Sequence, residues 1–219
     1  MANEQTIAVL GGTGKEGSGL AMRWALKGYK VIIGSRDAER AAVYANDLST
    51  KLGDVQVTGM GNPEAAQQAD IVVLSVPYTA HHATLEGVKD SLAGKILVDI
   101  TVPLQPPKVR TVHLPEGKAA ALEAQALLGE ATKVVAAFQN VSAENLVDPD
   151  HVVDCDVLVC GNDAEAKATV IKLVEATGMK GIDAGLLPNA IAIEALTPVL
   201  LWINKAYGVK HSGIRITGI

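Results

Sequence analysis

The stretch Thr6-Ile7-Ala8-Val9-Leu10-Gly11-Gly12-Thr13-Gly14-Lys15-Glu16-Gly17, followed by Val31-Ile32-Ile33-Gly34-Ser35-Arg36, decides the fold. A short aliphatic run breaks into Gly12-x-Gly14-x-x-Gly17 and then enters a helical pattern. In such a strand–turn–helix unit the first glycine allows the tight bend, and the second lets backbone N–H groups approach a pyrophosphate. The third lets the helix pack closely on its strand. The helix N-terminus then offers unpaired N–H donors and partial positive charge to the phosphates. A second strand ends about 20 residues further on, as a dinucleotide-binding unit requires.

The residues ending that second strand select the cofactor. A site for NAD places an Asp or Glu there to bind the ribose hydroxyls. This chain has Ser35-Arg36, with Arg40 one helical turn later. A carboxylate would repel a 2′-phosphate, whereas a guanidinium binds it through charge-assisted, often bidentate hydrogen bonds. The expected cofactor is NADP(H).

At 219 residues the chain is long enough for one well-filled core with a small appendage. An apolar fraction of 48% with only 3% aromatics suits an α/β protein whose core is Val, Ile, Leu and Ala. The net charge of −5, with no basic patch, argues against a nucleic-acid partner. The first strand begins within a few residues of Met1, which leaves no room for a signal peptide. Cys155 and Cys160 lie five apart on an apparent strand and so point to opposite faces. Reduced, buried thiols are expected, consistent with a cytoplasmic protein, and no metal site is.

Strands are expected at Thr6–Leu10, Val31–Gly34, Val55–Met60, Ile71–Val76, Ile96–Asp99, Val134–Phe138, Asp156–Cys160 and Lys180–Asp183. Helical stretches such as Gly17–Lys27 and Asp37–Leu52 alternate with them. The order predicts an α/β fold: a Rossmann-type, doubly wound, mostly parallel sheet with a small C-terminal helical extension. Residues 1–185 would form the NADP-binding domain. Residues 186–219 would add a helix and a tail that reads as a closing strand or flap. Leu186–Ala206 is apolar on most sides and interrupted by Asn189, Glu194 and Pro198, so it reads as a covered helix rather than a membrane span. The first domain or a second copy of the chain would cover it, and a homodimer is favoured. The proline-rich segment Pro103–Pro115 is expected to be an ordered loop or lid edge.

Ligands of an open parallel sheet bind beyond the carboxyl ends of its strands. The segments reaching that edge are Ser75–Ala80, Asp99–Pro103 and Phe138–Ala143. None carries an obvious general acid or base. His81 and His82 follow the fourth strand and read as surface residues at a helix start. Small NADP-dependent hydroxyacid dehydrogenases place a lysine on the helix after the last strand, where this chain has Asn189. An amide does no proton transfer, so the expected chemistry is hydride transfer to an acceptor that needs little help. Small residues at Ala136, Ala137 and Gly185 would let two flat rings stack.

Several stretches together resemble the F420-dependent NADP reductases. They are Leu10–Gly17, Gly34-Ser35-Arg36 with Arg40, Val76-Pro77, Val159-Cys160-Gly161, Asp183-Ala184-Gly185, Glu194-Ala195-Leu196-Thr197-Pro198 and Gly213-Ile214. The resemblance implies NADP(H) and the deazaflavin coenzyme F420 as cofactors, with reversible hydride transfer between them. It further implies that Thr13, Gly14, Lys15 and Glu16, beside Gly12, wrap the pyrophosphate and that Ser35, Arg36 and Arg40 grip the 2′-phosphate. Val76, Pro77, Ala80, Val141 and Ala143 would line the nicotinamide end, and Ser212, Gly213 and Ile214 would touch the deazaflavin. The chain departs from the family pattern at Gln139-Asn140-Val141-Ser142, which replaces a His-Thr-Ile-Pro-like run, and at Ala80, which replaces a larger polar residue. No side chain is expected to act as a catalytic acid or base. Two other readings stay open: an NADPH-dependent reductase of a carbonyl, imine, flavin or metal complex, and a non-enzymatic NADPH-binding module.

Overall fold

The computed structural model describes residues 5–53 and 55–219. Strands and helices alternate as β1 (Thr6–Leu10), α1 (Lys15–Leu26), β2 (Lys30–Ser35), α2 (Ala38–Leu52), β3 (Val57–Gly61), α3 (Asn62–Gln68), β4 (Ile71–Leu74), α4 (Tyr78–Val88) and β5 (Ile96–Asp99). There follow α5 (Ala120–Leu128), β6 (Lys133–Ala136), α6 (Ala143–Leu146), β7 (Asp156–Gly161), α7 (Ala164–Ala176), β8 (Lys180–Asp183) and α8 (Ala190–Tyr207). All eight expected strands are present, with ends moved by up to two residues. Helix α1 starts two residues earlier than its apolar periodicity suggested, which draws Lys15 and Glu16 into its first turn.

The sheet order is β3-β2-β1-β4-β5-β6-β7-β8. Sequence order reverses at β1 and β4, so the crevice between their following loops is the natural ligand site. The first six strands are parallel. The last two are not: β7 runs antiparallel to β6, and β8 follows β7. The β6–β7 connection carries only the one-turn helix α6, whereas a parallel return uses a full crossover helix. Because Ala136 pairs with Cys160, the start of β7 projects beyond the carboxyl end of β6, on the edge where ligands are expected.

Each sheet face carries its own buried cluster. One packs Trp24, Phe138 and Leu20 against β1, β2 and β4, with Trp24 and Phe138 edge to face at 6.0 Å. The other holds Leu10, Leu74, Leu85 and Leu97 under α3, α4 and α5. Cys155 and Cys160 belong to opposite clusters, and both are free and buried. The Arg23 guanidinium of α1 donates to the carbonyls of Asn145, Asp148, His151 and Thr177, binding the α6 connection to the body of the fold.

Helix α8 is only partly covered by the rest of the chain. Ile193, Glu194 and Leu200 are buried, but Val199 and Tyr207 are exposed and Trp202 is 58% exposed. By length and composition alone the segment Leu187–Tyr207 could cross a membrane. The tail forms no strand. It is pinned to the start of β7, where the Asp156 N–H donates to the Ile214 carbonyl and the Ile216 N–H to the Asp156 carboxylate.

Candidate functional site

Close contacts explain the glycine turn. The positive φ that makes the bend is at Gly11 (+78°), not at Gly12, and a Cβ on Gly11 would lie 2.2 Å from the Ser75 carbonyl oxygen. Gly12 is needed because a Cβ there would meet the Val9 carbonyl at 2.7 Å. Gly17 lets α1 approach β4, since its Cβ would fall 2.9 Å from Ser75 Oγ and 3.1 Å from Gly12 Cα. At Gly14 a Cβ would make only ordinary contact with the Gly11 carbonyl oxygen at 3.4 Å, and the residue caps α1 without a side-chain acceptor. The first-turn N–H groups are therefore available to an anion from outside.

Two clefts open along the carboxyl edge, and Pro77 lines both. The first, of about 300 Å³, lies between the glycine turn and the ends of β4, β5 and β6. Gly14, Lys15, Glu16, Val76, Val141 and Ala143 line it, as the sequence reading placed them. Ile100, Val102 and Leu104 form an apolar part of its wall, so the proline-rich segment enters the site through Leu104. The second cleft, of about 550 Å³, is walled by Ser35 and Arg36 on one side and by α4 on the other.

Some expected residues stand elsewhere. Ala80 faces the second cleft with Ser35 and Arg36, not the first, because α4 turns away from β4 directly after Pro77. Arg40 is exposed on α2, one turn from Arg36; its backbone N–H is capped by the Asp37 carboxylate at 3.0 Å. Ser212 is tied to α8 through Asn204 and the Leu200 carbonyl. Residues 212–214 line neither cleft, although His211 reaches Ser142, which sits between Val141 and Ala143. Ala136 and Ala137 are fully buried in the sheet and offer no surface on which rings could stack. Gly185 serves the turn after β8, where its carbonyl accepts from Gly161 and Asn189 donates to the adjacent Ala184 carbonyl.

Electrostatics fit a phosphate-bearing ligand better than the bare sequence suggests. An acidic residue at position 16 would repel a pyrophosphate if ionised. Burial pushes the Glu16 carboxyl up to about 8, which favours its uncharged form beside an anion. The neighbouring Lys15 pairs with Glu144 across the cleft mouth. Thr13 is half-buried in the turn between them and β1.

Beneath the clefts lies a polar network that sequence reasoning missed. His81 is 2% exposed, not a surface residue, and its Nε2 lies 2.7 Å from the buried Asp99 Oδ2. Burial disfavours the imidazolium, but the Asp99 hydrogen bond and charge outweigh it and raise the His81 pKa. The other Asp99 oxygen accepts from the Thr101 N–H, and the Asp99 carbonyl accepts from Gln139 Nε2. Glu194 of α8 accepts from the N–H groups of Ala120 and Ala121. Burial, with Asp99 nearby, raises its carboxyl to about 8. Phe138 takes a left-handed φ of +74° just before Gln139, a conformation uncommon for a bulky residue. Thr197 donates its hydroxyl to the Gln139 carbonyl at 2.5 Å, so α8 reaches the first cleft through the Leu-Thr-Pro motif. The signal for Asp99 and Gln139 was their place at strand ends on the ligand edge; the partner of each lies far away in sequence.

A family model for F420-dependent NADP oxidoreductases matches residues 6–103. The F420-dependent NADP reductase of Methanothermobacter thermautotrophicus is 43% identical over 220 residues, covering 97% of this chain and 95% of that protein. The enzyme of the same name from Methanocaldococcus jannaschii is 45% identical over 222 residues, covering 97% and 98%. Among solved structures, an F420-dependent NADP reductase candidate from Arthrobacter sp. FB24 superposes with a TM-score of 0.81 at 32% identity, covering 98% of this chain and all of that one. With this glycine turn, this switch-point crevice and near-full-length similarity, the chain belongs to the F420-dependent NADP reductase family.

Proposed function

We propose that this protein transfers hydride reversibly between NADP(H) and coenzyme F420. The observation that carries the reading is the pair of clefts meeting at Pro77: one flanked by Ser35 and Arg36, the other apolar and bordered by the glycine turn. The phosphate-selective half and the reacting half of one dinucleotide fit that arrangement. Gly14 and the first turn of α1 would hold the pyrophosphate, and Ser35, Arg36 and Arg40 the 2′-phosphate. When bound, the nicotinamide would supply the hydride and a ring carbon of the deazaflavin would take it, the accompanying proton coming from solvent.

What the chain contributes is position. Val76, Pro77, Ile100, Val102 and Val141 line the reacting cleft and would pack against the two rings. The Thr197–Gln139–Asp99 chain of hydrogen bonds fixes its floor. Holding two reactants in near-attack geometry supplies about 7–11 kcal/mol in well-oriented systems, and this enzyme draws on that effect rather than on a side-chain acid.

Residues 186–219 complete the deazaflavin side in this reading, and the exposed apolar face of α8, with Val199 and Trp202, forms a homodimer interface. A cytoplasmic setting suits the two free, buried cysteines. The test mixes pure protein with NADPH and oxidised F420 and follows the loss of deazaflavin absorbance. Rapid bleaching that NADH supports poorly is the expected result. Tight NADPH binding without bleaching would overturn the acceptor assignment.

A further inference from the structure

The second cleft contains an acceptor that the protein leaves unused. Asn62 follows β3 directly, lines the cleft and is 7% exposed, yet its Oδ1 is buried with no hydrogen-bond partner among the described residues. Buried polar atoms are nearly always paired, so an orphan in a ligand cleft points to a donor that arrives with the ligand. Gly34 makes room for the amide, since a Cβ there would lie 2.9 Å from Asn62 Oδ1. With that oxygen unanchored, the amide can turn to meet a donor in the cleft.

Its neighbours identify the donor. Ser35 pairs with Gly61 in the sheet, so Asn62 sits one residue beyond the rung that ends in the Arg36 cluster. Ala80, Ala83 and Val88 give the cleft an apolar opposite wall suited to the face of a flat base. The ribose bearing the 2′-phosphate also bears the base, so the group next to the phosphate grip is adenine. A carboxamide is the complement of adenine's amino group and an adjacent ring nitrogen.

We propose that Asn62 reads the adenine of the dinucleotide, its side-chain carbonyl accepting a hydrogen bond from the 6-amino group. This rests on the reading of the second cleft as the adenosine half of the NADP(H) site.

The test compares the dissociation constants of NADPH and of an analogue whose purine carries hydrogen in place of the 6-amino group. The unmodified protein is expected to bind the analogue about tenfold more weakly, the loss of one good hydrogen bond. Asn62→Ala is expected to bind both equally, near the level of unmodified protein with the analogue. Its thermal midpoint without cofactor should be unchanged or higher, because the variant removes an unpaired buried oxygen. No gap in the unmodified protein, or the same gap in Asn62→Ala, would overturn the assignment; the first of these needs no variant. Arg36→Ala separates the two levels of inference. If it lowers NADPH affinity but not NADH affinity while the base gap is absent, the Asn62 assignment alone fails. If it leaves the NADPH-to-NADH ratio unchanged, the adenosine reading of the cleft fails and the assignment with it.

Discussion

His81 Nε2 stands 2.7 Å from Asp99 Oδ2, with both side chains sealed from water beneath the ligand edge of the sheet. The pair joins the first turns of α4 to the end of β5, so it fixes the loop carrying Val76 and Pro77 against the segment carrying Thr101 and Val102. It touches neither cleft. Its work is structural.

Replacing His81 with Ala should therefore destabilise the fold by about 3–5 kcal/mol, because it strands a buried carboxylate. Replacing both His81 and Asp99 with Leu should recover much of the loss, since apolar side chains of similar volume need no pairing. Urea unfolding of the three proteins measures this. A loss under about 1 kcal/mol for His81→Ala would show that Asp99 is satisfied without the imidazole.

Stability should fall as pH rises toward 8. Glu194, raised to about 8 from 4.5, stays protonated in the fold where the unfolded chain is ionised. Its contribution is complete below pH 4.5 and is lost as pH rises through about 8. His81, also raised, adds stability that is complete below 6.5 and is lost as pH passes its folded value. The groups facing Glu194 are Asp99, His81, Tyr78 and Cys160, besides the two α5 N–H donors. Glu194→Gln should flatten the slope of thermal midpoint against pH between 5 and 8. An unchanged slope would place the titration elsewhere.

Arg36→Ala and Arg40→Ala should each raise the apparent KM for NADPH about tenfold or more while leaving that for NADH nearly unchanged. Arg36 should matter more, because it lines the cleft and Arg40 does not. Steady-state kinetics with both cofactors decide it. Equal effects on the two cofactors would show that these arginines do not meet the 2′-phosphate.

On the proposed homodimer, the unmodified protein should sediment as a dimer and Trp202→Glu as a monomer, since the variant places a charge on the exposed α8 face. Sedimentation velocity at several concentrations reads the outcome. A variant that stays dimeric would move the interface away from α8.

Much of the architecture was legible because local rules and the fold agree. The strand–turn–helix start and the β-branched runs were legible from neighbours in the chain, although the bend itself fell at Gly11 rather than Gly12. The reversal of β7 and β8 was not legible, because a strand's own sequence does not record its direction. That depended on a connection held by Arg23 through carbonyls more than 120 residues away. Ala80 was misplaced for a related reason: one residue past Pro77, the turn of α4 chooses between two adjacent clefts.

The sequence by itself determined that a dinucleotide fold begins at Thr6 and that Ser35-Arg36 closes its second strand, where an acidic residue would stand in a site for NAD. Periodicity and steric demands on glycine act over a few residues, so they can be read there. Only the tertiary structure decided that His81 is buried on Asp99, that burial raises the Glu194 and Glu16 carboxyls, and that Asn62 keeps an oxygen unpaired among the described residues in the cleft that Arg36 lines. Burial, desolvation and hydrogen-bond satisfaction depend on what the rest of the chain brings alongside, and no local pattern encodes that.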